Sequence, residues 1–435
     1  MVERARAAAQ SQNREIGVLV DLQGPKLRIE RFTEGQVDLR EGDPFTLDTT
    51  LAPNAGTVER VGLAYKEMVQ DVRVGDTLVL DDGRIILGVE KVEGEAIQTR
   101  VVVGGMLSNN KGINRQGGGL SAPALTAKDR ADIVTAAELH ADYLAVSFPR
   151  SAEDIEEARA LLQASGGHGS IIAKIERAEA LSAIDEIIDA SDAIMIARGD
   201  LGVEIGDAEL PAVQKRIIRL ARDMDKLVIT ATQMMESMIY NPIPTRAEVF
   251  DVANAVLDGT DAVMLSAETA SGKYPDKAVA AMDRICLGAE RQRTAKAADY
   301  RLDQKFSRID ETIAMATMYT ANHLGVRVII ALTESGSTPL WMSRIGSDIP
   351  IYALTPHVET QRKLALYRGV CPIQFNISSM DHPRVNSEAV QELLRRGVIR
   401  DGDLVLLTKG DLVGVQGGTN TLKIMRVSIL RSHEA

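Results

Sequence analysis

Three charged side chains near the middle of the sequence could carry out chemistry on a phosphorylated substrate. Lys174 and Glu176 lie two residues apart in the run IIAKIE, and alternation along a strand would place them on one face. Asp200 follows the next apolar run, within the segment ARGD. Carboxylates are the ligands that a hard cation such as Mg²⁺ prefers, and an ammonium group stabilises negative charge that develops on oxygen. This spacing suits magnesium-assisted phosphoryl or enolate chemistry, and a simple salt bridge is the alternative.

A repeated pattern of strand followed by helix would position these side chains. The candidate strands are short apolar runs: Gly17–Val20, Asp142–Ser147, Ser170–Ile175, Ala193–Ala197, Leu227–Ala231 and Ala262–Ser266. Between two of them, the segment Glu176–Ala190 carries a helical stripe made of Leu181, Ile184, Ile187 and Ile188. Such alternation, with polar residues at the strand ends, predicts an α/β fold with a TIM-type (β/α) barrel whose chemistry lies at the carboxyl ends of the strands.

Two segments depart from this pattern. Residues 29–106 lack a helical period and contain Gly-Asp and Asp-Gly turns between strands such as Thr77–Leu80 and Ile85–Val89, which predicts an inserted β lid domain. Later, a helix at 310–324 and strands at 326–332, 350–354, 370–375, 403–408 and 422–428 predict an open α/β domain. The predicted domains are therefore a barrel over 1–28 and 107–300, a β lid over 29–106 and a C-terminal domain over 301–435.

The composition limits the kind of protein and its partners. Of the 435 residues, 45% are apolar and 26% are charged, which is typical of a globular protein with two or three domains. The net charge of −11, without a long basic block, argues against nucleic acid or an anionic membrane as the main partner. The two cysteines, Cys286 and Cys371, suit a reducing compartment, and no apolar run is long enough to span a membrane. We therefore expect a cytoplasmic protein.

Eight motifs along the chain together resemble those of the bacterial pyruvate kinases. They are DLQGPKLR at 21–28, NKGIN at 110–114, AVSFPR at 145–150, AKIE at 173–176, ARGDLGVE at 197–204, ATQMMESM at 231–238, the segment 244–275 that begins PTRAEVF, and TESGST at 333–338. The resemblance covers almost the whole chain in the order of the family. It implies transfer of the phosphoryl group of phosphoenolpyruvate to ADP, which gives pyruvate and ATP in glycolysis. It also implies a C-terminal regulatory domain and, in most members, a homotetramer.

The resemblance assigns roles to the three charged residues and their neighbours. It implies that Glu176 and Asp200 hold Mg²⁺, and that Lys174 stabilises phosphoryl and enolate oxygens. The backbone N–H groups of Gly199 and Asp200 would bind the substrate carboxylate at a helix start. Thr232 matches the threonine near the enolate, where a hydroxyl or an ordered water could deliver a proton to carbon.

Further positions match contacts to substrate, nucleotide and monovalent cation. Ser147 and Glu268 resemble substrate-binding residues, although the chain has Ser-Ala-Glu-Thr around Glu268 where many members have Ser-Gly-Glu-Thr. Arg28 and Lys111 resemble residues that contact nucleotide phosphates. Asp21 matches a residue that helps to bind K⁺. For an isolated arginine or lysine, a solvated surface charge would be the usual interpretation.

The loop TESGST resembles the family's binding site for a phosphate of an allosteric activator. Its predicted effector-binding residues are Thr333, Ser335, Gly336, Ser337 and Thr338. The segment from Gly417 to Asn420 resembles a second loop on the effector side. A helix N-cap at Thr338, directly before Pro339, is the structural alternative, and both interpretations are compatible.

The family plan also includes two barrel strands before Gly17 that are absent from the sequence as given. Those strands would supply an arginine that contacts both substrates, and an asparagine and a serine at the monovalent-cation site. A misassigned start codon, a truncated gene and a functional six-stranded form are three explanations. Activity of the chain as written is expected to depend on whether those contacts are dispensable or supplied by a neighbouring subunit.

Two other functions remain as alternatives at this stage. A catalytically silent, truncated relative would keep the C-terminal domain and act as an effector-binding or partner subunit. Intact Lys174, Glu176, Asp200 and Thr232 oppose that interpretation. Another barrel enzyme that handles phosphoenolpyruvate or pyruvate, such as a lyase, is opposed by the β insert and the TESGST loop.

The segment DLQGPKLR generates a prediction about potassium. One branch of the family has an acidic residue where this chain has Lys26, and an ammonium group supplies the same single positive charge as K⁺. We therefore expect K⁺ to activate weakly or not at all. Titrating KCl against tetramethylammonium chloride at constant ionic strength would measure this, and a steep requirement for K⁺ would contradict it.

Overall fold

The computed structural model describes residues 1–25, 27–292, 305–376, 382–411 and 417–428. The chain divides into two compact units, one made of Met1–Leu19 with Met234–Ala435 and the other of Val20–Gln233. Within the described ranges, no helix is both long and apolar enough to cross a lipid bilayer.

The strands and helices of the described residues are numbered in chain order. The strands are β1 Leu19–Asp21, β2 Gln36–Leu39, β3 Pro44–Asp48, β4 Arg60–Gly62, β5 Thr77–Leu80, β6 Ile85–Glu93, β7 Ala96–Val103, β8 Gly105–Ser108, β9 Ile113–Arg115, β10 Tyr143–Val146, β11 Ser170–Ile175, β12 Ala193–Ala197, β13 Leu227–Ala231, β14 Ala262–Val263, β15 Val328–Leu332, β16 Ile351–Thr355, β17 Val370–Gln374, β18 Leu404–Gly410 and β19 Thr419–Arg426. The helices are α1 Val2–Ser11, α2 Met68–Asp71, α3 Ala127–Glu138, α4 Ala152–Ala164, α5 Ala178–Ser182, α6 Ile184–Ala190, α7 Arg198–Ile205, α8 Leu210–Asp223, α9 Arg246–Asp258, α10 Ala267–Ala270, α11 Pro275–Glu290, α12 Ile309–Leu324, α13 Ser337–Ile345, α14 Val358–Leu364 and α15 His382–Arg395, with a short 3₁₀ helix at Glu236–Ile239.

In the unit Val20–Gln233, a parallel sheet brings the carboxyl ends of neighbouring strands to one edge. β10, β11, β12 and β13 pair in parallel and in chain order, and β1 lies next to β10. All residues of β12 and β13 are buried, because helices pack on such sheets and the strands need apolar side chains on both faces. The predicted bounds of β11, β12 and β13 are confirmed. β1 begins two residues later than predicted, and β14 ends earlier, at Val263.

The segment Glu176–Ala190, where the sequence predicted a helical stripe, forms two helices. Ala183 has φ −107° and ψ 21°, which departs from helical geometry and separates α5 from α6. Three residues of the predicted apolar stripe, Ile184, Ile187 and Ile188, are nevertheless buried in the core of the unit. The periodicity therefore identified the buried face correctly but not the break.

The β insert belongs to the same unit and has a core of its own. Its larger sheet has the order β4-β3-β7-β6-β5-β9, and β2 pairs with β8. Phe45, Leu47, Leu78 and Leu87 lie in its core, each at most 1% exposed. β9 pairs with β5, so the sheet continues beyond residue 106, where the sequence predicted the insert to end.

The other unit contains the C-terminal open α/β sheet that the sequence predicted. The strand order is β17-β16-β15-β18-β19, parallel throughout except for β19 at the edge. Alternate residues of β15 enter two different cores: Val328 and Ile330 pack in one, and Ile329 and Ala331 in the other. Helices therefore cover both faces of this sheet.

A buried ion pair in the same unit joins α13 to the residue before β14. Arg344 and Asp261 have side chains that are 1% and 0% exposed, and Arg344 Nη1 donates to Asp261 Oδ2 at 2.9 Å. Arg368 donates through its backbone N–H to the same carboxylate, and through Nη1 to the carbonyls of Val256 and Thr260. The end of α9 and the start of β14 are thus held by two arginines from the C-terminal part of the chain.

Candidate functional site

Lys174 lies near the carboxyl end of β11, where its ammonium group meets three oxygen-bearing side chains. Its Nζ lies 3.1 Å from Glu176 Oε1 and 3.1 Å from Asp21 Oδ1. It also donates to Ser147 Oγ at 2.7 Å, and Ser147 donates to the Leu22 carbonyl at 2.7 Å. The structure therefore brings together four residues that the sequence analysis singled out, and it confirms that Lys174 and Glu176 share a face.

Glu176 is held by a backbone amide as well as by Lys174. Its carboxylate is 2% exposed and accepts the N–H of Phe148 at 2.8 Å. Phe148 adopts φ +55°, which is unusual for a residue with a side chain. Its ring leaves space only for a glycine at position 24, where a Cβ would lie 2.9 Å from the ring. Gly24 also has φ +68° and donates to Asp129, which forms a capping box with the N-cap residue Thr126 at the start of α3.

Burial controls the charge of the two predicted metal ligands. It raises the pKa of Glu176 to about 7, and the nearby Asp200 adds to the rise, while Lys174 and the Phe148 amide oppose it. Burial likewise raises the pKa of Asp200, which Lys174 and Arg28 partly offset. For Lys174, burial would lower the pKa, but Glu176 and Asp21 more than offset this and raise it above its ordinary value. The ammonium group therefore stays charged beside Glu176, whose burial opposes its ionisation.

Glu176 and Asp200 form a donor set that fits a divalent cation. The charge of Asp200 raises the pKa of Glu176, and the charge of Asp82 raises that of Asp200, so a bound cation would relieve repulsion between carboxyls. Among the described residues, no group of three or more acidic, histidine or cysteine side chains is arranged to hold a metal. Two carboxylates suit Mg²⁺, which commonly takes its remaining ligands from water and substrate phosphates.

Thr232 and Gly199 meet across the ends of β12 and β13. The Gly199 N–H donates to Thr232 Oγ1 at 2.8 Å, and the Thr232 hydroxyl donates to the Ala231 carbonyl at 2.7 Å. Thr232 has φ +63° and Gln233 has φ +54°, a conformation that is strained for a β-branched side chain. Two consecutive left-handed residues place this hydroxyl at the start of α7, beside Asp200.

Residues of the β insert face the same region. Lys111 pairs with Asp81 at 2.6 Å, and Arg28 donates to the Asn110 carbonyl at 3.1 Å. The charges of Asp82 and Arg28 both act on Asp200, in opposite directions. Asp81 and Asp82 have φ +49° and +55°, so the turn between β5 and β6 is also in a left-handed conformation. The structure thus places both predicted nucleotide contacts on the insert side of the Lys174 cluster.

Two other predicted residues belong to different parts of the chain. Glu268 belongs to the unit that contains β14, where it is 3% exposed and accepts the N–H groups of Met235 and Ser266 at 3.2 and 2.7 Å. Lys26, the proposed substitute for K⁺, lies outside the described residues.

The two predicted effector loops come together in the C-terminal sheet. Thr338 and Thr419 share a buried hydrogen bond of 2.8 Å between their hydroxyls. Thr333 accepts the Gly336 N–H at 2.9 Å, and the hydroxyls of Ser335 and Ser337 lie 2.7 Å apart. The N-cap predicted at Thr338 is wrong: α13 begins at Ser337 after Gly336, whose φ of +87° only glycine adopts readily, and Thr338 lies inside the helix.

The sequence analysis missed three groups in the site. They are the Phe148 amide that holds Glu176, the Arg198 guanidinium that donates to the Thr232 carbonyl at 2.8 and 3.2 Å, and the buried Glu204. Burial raises the pKa of Glu204 to about 7. The position of Arg198 beside Gly199 was a signal, but contacts made through backbone atoms are not visible in a sequence.

Comparison with known proteins matches two family models to the chain. Residues 1–279 match the pyruvate kinase barrel domain, and residues 311–425 match the pyruvate kinase alpha/beta domain. A pyruvate kinase of Buchnera aphidicola from Acyrthosiphon pisum is 55% identical over 428 residues, which cover 98% of this chain and 89% of the relative. Pyruvate kinase II of Salmonella typhimurium is 55% identical over 429 residues, with the same coverage, and the Haemophilus influenzae pyruvate kinase is 54% identical over 423 residues.

The raised pKa values of Glu176 and Glu204 predict that stability falls as pH rises. Between pH about 4.5 and 7, each folded carboxyl binds more protons than the unfolded one, so the free energy of unfolding decreases with pH, by up to about 3 kcal/mol per group. Thermal unfolding between pH 5 and 8 should show this fall, and Glu176→Gln and Glu204→Gln should each weaken it.

Stabilisation by Mg²⁺ should depend on Glu176 but not on Glu204. Added Mg²⁺ should raise the melting temperature of the unmodified protein and of Glu204→Gln at pH 8, but much less that of Glu176→Gln. Equal stabilisation of all three would show that Glu176 does not bind the cation.

Proposed function

The chain belongs to the pyruvate kinase family, and we propose that it carries out the family's reaction at the cluster around Lys174. That reaction is the transfer of the phosphoryl group of phosphoenolpyruvate to ADP, which gives pyruvate and ATP, and the chain is therefore a phosphotransferase of glycolysis. The observation that supports the site is the contact of Lys174 with Asp21, Ser147 and Glu176 at 2.7 to 3.1 Å. Nothing in the comparisons favours a catalytically silent relative.

Lys174 neutralises the charge that the reaction creates. Removal of the phosphoryl group leaves an enolate oxygen, and a fixed ammonium group stabilises such charge without having to reorganise. The ammonium group contacts the Ser147 hydroxyl and the carboxylates of Asp21 and Glu176. These three contacts keep it in one place. Because the pKa of Lys174 is raised above its ordinary value, its side chain is charged throughout the physiological pH range.

The family needs divalent and monovalent cations, and for this chain we propose that Glu176 and Asp200 hold Mg²⁺. When bound, Mg²⁺ supplies positive charge that polarises a phosphoryl oxygen and the substrate carboxylate. The N–H groups at the start of α7, from Gly199 and Asp200, face the same region and are suited to bind the carboxylate. The Gly199 N–H now bonds to Thr232, so substrate would replace or share that bond.

The remaining substrate contacts follow from position. Arg28 and Lys111, on the insert side, are proposed to hold the phosphates of ADP. Lys111 would then leave its ion pair with Asp81 and bind a phosphate instead. Thr232 is proposed to lie at the enolate carbon and to deliver the proton that completes pyruvate, and the contact of its hydroxyl with the Gly199 N–H supports this. Glu268 accepts the backbone N–H groups of Met235 and Ser266, and its match to a substrate-binding residue of the family remains a prediction.

The C-terminal domain is proposed to bind a phosphorylated effector between the TESGST loop and the segment after Gly417. Hydroxyls of Ser335, Ser337, Thr338 and Thr419 converge there, at the start of α13. Phosphate binding measured by calorimetry, and its loss in Ser337→Ala, would check this.

The enzyme is proposed to act in the cytoplasm, in keeping with its free cysteines Cys286 and Cys371.

The sharpest test of the catalytic site is replacement of Lys174. Lys174→Met should lower kcat by at least about 10²–10³-fold, since it removes the charge at the enolate oxygen. A lactate-dehydrogenase-coupled assay with phosphoenolpyruvate, ADP and Mg²⁺ measures the rate. Lys226→Met is the matched control, because Lys226 donates to the carbonyls of Asp189 and Ser191 at the opposite end of the sheet. Full turnover by Lys174→Met would disprove the proposed site.

We also propose that the chain forms a homotetramer, with one interface around α9. Three large apolar side chains there, Tyr240, Ile243 and Phe250, are 70%, 72% and 70% exposed. Such a group of apolar side chains costs free energy in water and is typical of a protein interface. Phe250→Glu should dissociate the assembly, as measured by analytical ultracentrifugation. Val74→Glu, which changes a single exposed side chain on the β insert, should not, and a tetrameric Phe250→Glu would exclude this surface.

A further inference from the structure

We propose that Arg198 is a positioning residue for proton delivery by Thr232, an inference that rests on the proposed role of Thr232. Arg198 is the first residue of α7, directly after β12, and is 6% exposed. Its Nη2 and Nε donate to the Thr232 carbonyl at 2.8 and 3.2 Å. Two donors of a charged group therefore converge on one backbone oxygen.

The carbonyl that Arg198 holds belongs to a strained peptide. Thr232 and Gln233 both have left-handed φ angles, of +63° and +54°. Such residues are unfavourable and persist only where their surroundings hold them. The Arg198 guanidinium is the charged group that contacts this peptide, and charge-assisted hydrogen bonds are about twice as strong as neutral ones.

The same segment also fixes the hydroxyl of Thr232. The N–H of Gly199, the residue after Arg198, donates to Thr232 Oγ1 at 2.8 Å. The carbonyl and the hydroxyl of one threonine are thus held by two consecutive residues, one through its side chain and one through its backbone. A Cβ at position 199 would lie 3.5 Å from Oγ1, an ordinary van der Waals distance, so the two residues are in contact. Arg198 therefore sets the backbone rotation that brings the hydroxyl to the start of α7.

The step that depends on this geometry is protonation of the enolate. The hydroxyl gives its proton to the methylene carbon, the electron pair of the carbon–carbon double bond forms the new C–H bond, and the C–O⁻ bond becomes a carbonyl. Water then returns a proton to the threonine oxygen. A general acid contributes about 10²–10⁴-fold when it is correctly placed, so a displaced hydroxyl should slow this step more than phosphoryl transfer.

Proton exchange separates positioning from a purely structural role. Pyruvate incubated in D₂O with the enzyme, Mg²⁺ and ATP exchanges its methyl protons through the enolate, and NMR measures the rate. We expect Arg198→Met to lower the exchange rate at least about tenfold, with a smaller change in KM for phosphoenolpyruvate. Arg198→Lys should recover part of the exchange rate, because a lysine keeps the positive charge but lacks the two planar N–H donors of the guanidinium.

A double-mutant cycle tests whether Arg198 acts through Thr232. Thr232→Val should lower the exchange rate, and adding Arg198→Met to it should lower it little further, since the hydroxyl is already absent. The matched control is Arg159→Met: Arg159 donates to the Ala190 carbonyl at the amino end of β12, so its loss should affect stability but not exchange.

Three results would overturn the proposal. Normal exchange by Arg198→Met, with exchange lost in Thr232→Val, would remove Arg198 and leave the role of Thr232 intact. Independent, additive losses in the double variant would show that Arg198 does not act through Thr232. Normal exchange by Thr232→Val would disprove the proposed role of Thr232 itself. If Arg198→Met does not fold, as judged by circular dichroism, Arg198→Lys decides the matter, and normal exchange with that variant would contradict the need for two donors.

Discussion

The site depends on the burial of Glu176 next to a fixed positive charge. The ionised form of a carboxyl that is 2% exposed would be unfavourable without a partner, and this cost of burial raises the pKa of Glu176 to about 7. Lys174 on one side and the Phe148 amide on the other provide the charge and the hydrogen bond that make ionisation possible. Asp21 and Ser147 then fix the lysine, so the positions of four groups follow from the need to balance one buried charge.

This requirement explains why backbone strain is concentrated at the carboxyl ends of the strands. Phe148 turns its amide towards Glu176, and Thr232 turns its hydroxyl towards Gly199, and both residues have positive φ angles. Regular strands or helices would direct these groups into their own hydrogen bonds. Leaving regular geometry at these residues frees polar groups for the site, and the surrounding sheet, in which β12 and β13 are fully buried, is rigid enough to hold the strain.

Much of the scaffold was predictable, and the reason is physical. β11, β12 and β13 were bounded correctly because strands covered on both faces are continuous apolar runs that end where polar residues begin. Alternation along β11 was enough to place Lys174 and Glu176 together.

The break at Ala183 and the early start of α13 were missed, because both depend on single backbone angles that several sequences would allow. Contacts through backbone atoms, such as that of Arg198 with Thr232, leave no pattern in residue types. The assignment of roles to Gly199, Thr232 and Arg28 came from the family resemblance, and their proposed roles remain predictions.

The pair of Arg344 and Asp261 gives α13 a mechanical property. The helix begins at Ser337, next to the converging hydroxyls of the C-terminal sheet, and Arg344 lies seven residues later, about 10 Å along a helix that rises 1.5 Å per residue. Because both charged partners are almost completely excluded from water, sliding or rotating the helix by more than a fraction of an ångström would separate charges where they cannot be resolvated. The buried ion pair therefore ties the position of α13 to that of Asp261 and of the strand β14 that follows it.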